Sequence, residues 1–186
     1  MTFHKTLLIL VILALSCSVC AHRFYWNPQA TLENVYILDA LPLSSFIIGE
    51  LQAFEADYLQ FSAPENTQVI LALLAPQACP DFLPELWIVA KTLPETQETP
   101  FDIPEGFKAL KVENEWQPYR DYIISARLGP NARVALGETN YYFVIYAGHQ
   151  AGTYVAFKTG RDTIGGTSEG FDALGRFVRC ELQTEE

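Results

Sequence analysis

Positive charge is scarce in this chain. It carries 12 Lys and Arg against 22 Asp and Glu, a net charge of −10. Nucleic acids and anionic membrane surfaces are bound through clustered Lys and Arg, so this balance argues against both as partners. Long apolar runs are equally sparse. The main one, Leu7 to Leu15, is shorter than the roughly 20 residues that span a bilayer. Cysteine is limited to Cys17, Cys20, Cys79 and Cys180. The only pair at metal-ligand spacing is Cys17 and Cys20, at the extreme N-terminus, which argues against a cysteine metal site in the folded domain. No G-K-[ST] phosphate loop and no D-x-D-x-D-G calcium loop occurs.

What is present begins with the first 21 residues. Lys5 supplies a positive charge, Leu7 to Leu15 is apolar, and Val19-Cys20-Ala21 is small and cleavable in character. That order is the pattern of a secretory signal peptide over residues 1–21. It predicts a single mature domain, 22–186, that starts at His22, has no integral membrane segment and works in the periplasm, at the cell surface or in the medium. A lipid anchor at Cys17 or Cys20 is the weaker reading, because Ala14-Leu15-Ser16 and Cys17-Ser18-Val19 fit a lipobox poorly. In an oxidising compartment Cys79 and Cys180 are expected to pair. The bridge would tie the middle of the chain to its last strand and close a loop of about 100 residues, worth about 4–5 kcal/mol in the chain-entropy model.

The remainder reads as short extended segments between turns. Tyr58 to Phe61 alternates, Gln68 to Leu74 is apolar enough for a strand buried on both faces, and Leu86 to Ala90 follows. Asn140 to Tyr146 is rich in aromatic and β-branched residues, and Ala147 to Gly152 turns it into Thr153 to Phe157, which predicts a hairpin. Val35 to Leu41 suits a helix or a strand equally. The stretch from Leu93 to Pro118 holds Pro94, Pro100, Pro104 and Pro118, and is expected to be loop with one strand at Phe107 to Val112. A helix capped by Ser168 and running to Gly175 is the one clear helical signal. The expected fold class is all-β: an antiparallel, jelly-roll-like β-sandwich with a long Pro-rich loop and one short C-terminal helix.

The run Glu55 to Pro64, followed by Val69 to Leu74, resembles the bacterial pre-peptidase C-terminal domains and related secreted β-sandwiches. Tyr142 to Tyr146 and Gly152 to Val155 are similar to the strand pair near the end of those domains. The resemblance covers about a third of the chain by these segments and fails in the Pro-rich middle and after Arg161. It implies an extracytoplasmic accessory or binding fold and no catalytic residues.

Chemistry has few footholds. An amino-terminal His22 joined by His149 would give the three nitrogen ligands of a copper site, similar to the histidine brace of lytic polysaccharide monooxygenases. Calcium is a second candidate, through Asp57, Asp81, Asp102 and Asp162 at strand ends or in loops. Glu113 and Glu115 would share a strand face, although glycosidase carboxylates normally face each other across a cleft. The Gly-rich run from Arg161 to Gly170 reads as a flexible connection. Trp26, Trp116 and Tyr119 lie outside the strongest strand patterns, where flat rings serve sugar- and peptide-binding surfaces. The sequence thus points to a secreted, non-catalytic binding or accessory module with no required cofactor, whose partner is an extracellular glycan or protein. The alternative is a copper-binding protein or copper-dependent oxidase.

Overall fold

Strands dominate because β-branched and aromatic residues cluster in runs too short and too closely bounded by turns for helices. The computed structural model describes residues 22–39, 43–62, 67–113, 115–120, 123–136, 141–160 and 165–183. The expected signal segment and the first four residues of the Gly-rich run, Asp162 among them, lie outside them.

Among the described residues there are twelve strands, in two sheets, and one helix. In chain order they are β1 (Arg23–Trp26), β2 (Tyr36–Asp39), β3 (Ser45–Leu51), β4 (Ala56–Ser62), β5 (Thr67–Pro76) and β6 (Glu85–Ala90). Then come β7 (Lys108–Lys111), β8 (Gln117–Arg120), β9 (Ser125–Leu136), β10 (Tyr141–Tyr146), β11 (Gly152–Lys158) and β12 (Gly165–Gly166), with one helix, α1 (Ser168–Arg179). The larger sheet has the order β12-β1-β3-β11-β5-β9-β8 and the smaller one β2-β4-β10-β6-β7. The all-β sandwich is therefore the observed class. It is mixed rather than wholly antiparallel, because β1 runs parallel to both β3 and β12, and β2 runs parallel to β4.

Three apolar layers hold the molecule together. Between the sheets lie Ile47, Leu59, Leu71, Leu73, Phe143 and Tyr154, all buried. On the outer face of the larger sheet, Phe24, Phe46 and Val155 pack under Ala173 and Phe177 of α1. β5 sits between these layers and is buried on both faces, as its unbroken apolar run requires. On the outer face of the smaller sheet, Tyr58, Trp87 and Tyr146 are covered by Phe101, Ile103 and Phe107 of the Pro-rich segment. That segment is loop, as expected, but it is a lid over a sheet: Tyr58 Oη donates to the Asp102 carbonyl at 2.8 Å.

Three local expectations change. β10 and β11 do not pair as a hairpin, since β10 lies between β4 and β6 while β11 lies between β3 and β5. Each strand already has two partners, so Ala147 to Ala151 crosses between sheets as an arch. The helix is longer than expected and is capped by Thr167, whose Oγ1 accepts from the Gly170 N–H at 3.0 Å; Ser168 is already inside it. The disulfide Cys79–Cys180 is present, with Cα atoms 5.9 Å apart, and it anchors the end of this helix rather than a last strand.

Candidate functional site

Three arches lie side by side at one end of the sandwich. β3 leads into β4, β10 into β11, and β5 into β6, and in each sheet the three strands are immediate neighbours. The first two arches are joined by backbone hydrogen bonds, from Phe54 N–H to the Gly148 carbonyl (2.7 Å) and from Ala147 N–H to the Glu55 carbonyl (3.0 Å). Within the first, Gln52 N–H donates to Glu55 Oε2 at 2.9 Å. In the third, the ring of Phe82 lies against Gly152, where a side chain would collide with it. The arch end is thus a braced platform.

Phe54 projects from it. Its side chain is 60% exposed and its backbone has φ +66°, in the left-handed region that a bulky L-residue rarely occupies. Glycine would take that conformation without strain, yet the position carries a large aromatic ring that gains little from burial. The His149 ring meets it edge-on, with centroids 5.0 Å apart and planes at 86°. Gln52 and Gln150 are exposed on the same two arches, and Leu83 is exposed on the third. An aromatic face flanked by an imidazole and uncharged amides can stack on an apolar surface while its polar neighbours bond hydroxyls.

Beneath the platform, a polar group crosses the interior. Asp57 on β4 accepts from Tyr154 Oη on β11 at 2.6 Å, and from the Ala30 N–H at 2.9 Å. Asn27 Nδ2 donates to Tyr154 Oη at 3.1 Å. Burial pushes the Asp57 carboxyl up to about 7, against the opposing pull of these two hydrogen bonds. Tyr154 is raised well above an ordinary phenol, by burial first and by the neighbouring Asp57 second.

The residues singled out in the sequence are dispersed. Trp26 carries the Arg176 guanidinium over its ring at 4.7 Å, Trp116 packs against the inter-sheet core near Gly129, and Tyr119 joins the layer under α1. Trp26 and Tyr119 both pack against the outer layer of the larger sheet, but β1 and β8 are five pairings apart, or about 24 Å, so the two rings do not form one binding face. His22 and His149 are not brought together either. His22 Nδ1 is hydrogen-bonded to Ser44 Oγ (2.8 Å) and its ring stacks on Phe46, at the Lys158 end of β11, whereas His149 precedes Gly152 at the opposite end. The length of β11 separates them by about 20 Å. A chelate through the terminal amine also closes on Nδ1, which Ser44 occupies here. The two histidines of the alternative copper reading are thus held apart in this structure.

Asp57 points into the core, and no group of three His, Cys, Asp or Glu side chains able to hold a metal occurs among the described residues. Glu113 lies outside any strand, between β7 and β8. The spacing Gly166-Thr167-Ser168-Glu169-Gly170 matches a G-x-S-x-G nucleophile elbow and stands where β12 enters α1. An elbow needs its serine on a strained turn, but Ser168 is not among the positive-φ residues, and a side chain at Gly166 or Gly170 would strike the Phe24 backbone. Packing accounts for those glycines. No described helix is long and apolar enough to cross a membrane. In comparison with known proteins, the chain matches no family model and no curated protein sequence.

Proposed function

We propose that this protein is a secreted, non-catalytic binding module of the cell exterior that takes carbohydrate on its arch end. The observation that carries the reading is Phe54: an exposed aromatic ring held on left-handed backbone by hydrogen bonds from two arches. Strain of that kind is retained where the surroundings over-determine it, and such places are commonly binding surfaces. The neighbouring His149, Gln52 and Gln150 are suited to sugar hydroxyls, and the net negative charge disfavours polyanions. Secretion is supported by the pattern of residues 1–21 and by the disulfide, which belongs to oxidising compartments. The resemblance to pre-peptidase C-terminal domains fits an accessory role of this type.

The test is a glycan array probed with the wild-type domain and with Phe54→Ala. Binding that Phe54→Ala removes, with the melting temperature retained, supports the reading. Glycan binding unaffected by Phe54→Ala places the sugar elsewhere. A blank array together with a specific extracellular protein captured through Phe54 makes the ligand a protein.

A further inference from the structure

The polar group beneath the arches is a chain whose direction is not fixed by its geometry. Asn27 belongs to the connection that leaves the larger sheet after β1, Tyr154 stands on β11 of that sheet, and Asp57 on β4 of the other. Hydrogens run one way: Asn27 Nδ2 donates to Tyr154 Oη, and Tyr154 Oη donates to Asp57 Oδ2. Asn27 Oδ1, at the far end, is buried and accepts no hydrogen bond among the described residues. A buried carbonyl left in that state costs free energy; rotating the amide would bring Oδ1 to Tyr154 Oη and leave the Nδ2 donors in its place, so each orientation leaves one end of the amide without a partner among the described residues.

The surroundings favour a neutral chain. Glu55, next to β4, acts on Asp57 with a charge of the same sign. Tyr36 of β2 acts electrostatically on Tyr154, and Tyr25 of β1 on Tyr36, both phenols. β3 offers Gly49 and β10 offers Ile145, neither of them charged. The cations along the same strands bond elsewhere: Arg23 of β1 to Tyr25 Oη at 3.4 Å, and Lys158 of β11 to the Leu43 carbonyl at 2.7 Å.

We propose that Asn27, Tyr154 and Asp57 form a reversible proton latch between the two sheets. One proton from solvent bonds Asp57 Oδ2, which then donates to Tyr154 Oη. The Tyr154 hydroxyl hydrogen turns toward Asn27, whose amide rotates so that Oδ1 accepts it. The Ala30 N–H stays on Asp57 Oδ1 in both states. Loss of the proton restores the original direction, no covalent bond between heavy atoms changes, and the charge in the core alternates between zero and minus one. Burial places the Asp57 exchange at about 7, where small changes of ambient pH operate it. The latch does not depend on what the arch end binds.

Nuclear magnetic resonance of the full domain tests it. The Ala30 amide and the Asn27 side-chain amide are followed from about pH 3 to about pH 9, a range that covers both an ordinary and a shifted aspartate. Both signals are expected to move with one shared midpoint near 7. In Tyr154→Phe the Ala30 signal should still titrate while the Asn27 signal no longer follows it. A static Asn27 amide in the wild type overturns the latch, as does an Ala30 midpoint in the ordinary aspartate range. The wild-type titration decides the matter even if Tyr154→Phe fails to fold.

Discussion

Tyr154 Oη donates to Asp57 Oδ2 at 2.6 Å across the interior of the sandwich, and the Tyr154 ring lies so close over β3 that a Cβ at Gly49 would come within 2.5 Å of it. The absent side chain at Gly49 is what lets the phenol reach the other sheet. Tyr154→Phe is expected to destabilise the fold by about 1–3 kcal/mol, because a buried carboxyl oxygen and Asn27 Nδ2 both lose their partner. Gly49→Ala should cost about 1–3 kcal/mol by overpacking against the ring. Chemical denaturation measures both, and a neutral Gly49→Ala would show that the ring does not lie where it is described.

Stability should depend on pH through Asp57. Its carboxyl is raised from 3.8 to about 7 by burial, so between those values the folded chain holds a proton that the unfolded chain has released. Stability from this group therefore falls as pH rises from about 4 to about 7 and levels off above that. The full effect is at most roughly 4 kcal/mol. Melting temperatures across that range should decline in the wild type and flatten in Asp57→Asn. An unchanged slope in the variant would assign the dependence to other groups.

The disulfide should be protected by its setting. Arg127 donates to the carbonyls of Pro76, Cys79, Pro80 and Phe82, and so gathers the loop that presents Cys79 to Cys180. Both cysteines are expected to resist alkylation until reduced, and reduction should cost up to about 4–5 kcal/mol. Arg127→Ala should cost about 1–3 kcal/mol by leaving carbonyls without their donor, and should slow reoxidation. Mass spectrometry after native alkylation reports both; labelling of the untreated wild type would refute the bridge.

Phe54→Gly should stabilise the domain while abolishing ligand capture. Relief of the left-handed backbone at φ +66° is worth about 1 kcal/mol, and the exposed ring contributes little packing in return. Thermal unfolding checks the sign. A clear loss of stability would mean that the ring is structural.

Much of the framework is legible in the residues. The aromatic and β-branched content of Tyr141–Tyr146, the unbroken apolar run of β5 and the turn residues between strands identify elements, because those signals are local. Pairing is not local. Gly-containing connections mark both a hairpin and an arch, and β10 became an arch because β4 and β6 occupy both its edges. Asp57 was readable in part: it alternates with the apolar Leu59, and period two puts both on the buried face. Its partner Tyr154 lies 97 residues away, and nothing in either segment names the other. Phe54 gave no signal, since left-handed backbone is ordinarily announced by Gly or Asn. Trp26, Trp116 and Tyr119 attracted attention as exposed aromatics because sequence does not show that Arg176, Gly129 and the α1 layer receive them.

β1 pairs with β12 at Arg23–Gly165 and Phe24–Gly166, and Phe24 is sheltered by α1 just beyond. During synthesis, the ribosome delivers β1 long before residues 165–179 exist. An early-emerging chain therefore displays Phe24 and Phe46 as an apolar face, with α1 not yet available to close it. Final closure is a late event joining distant parts of the chain, a topology associated with slow folding. The nascent protein thus passes through a long interval in which this face is uncovered and the native pairing of β1 with β12 cannot yet form.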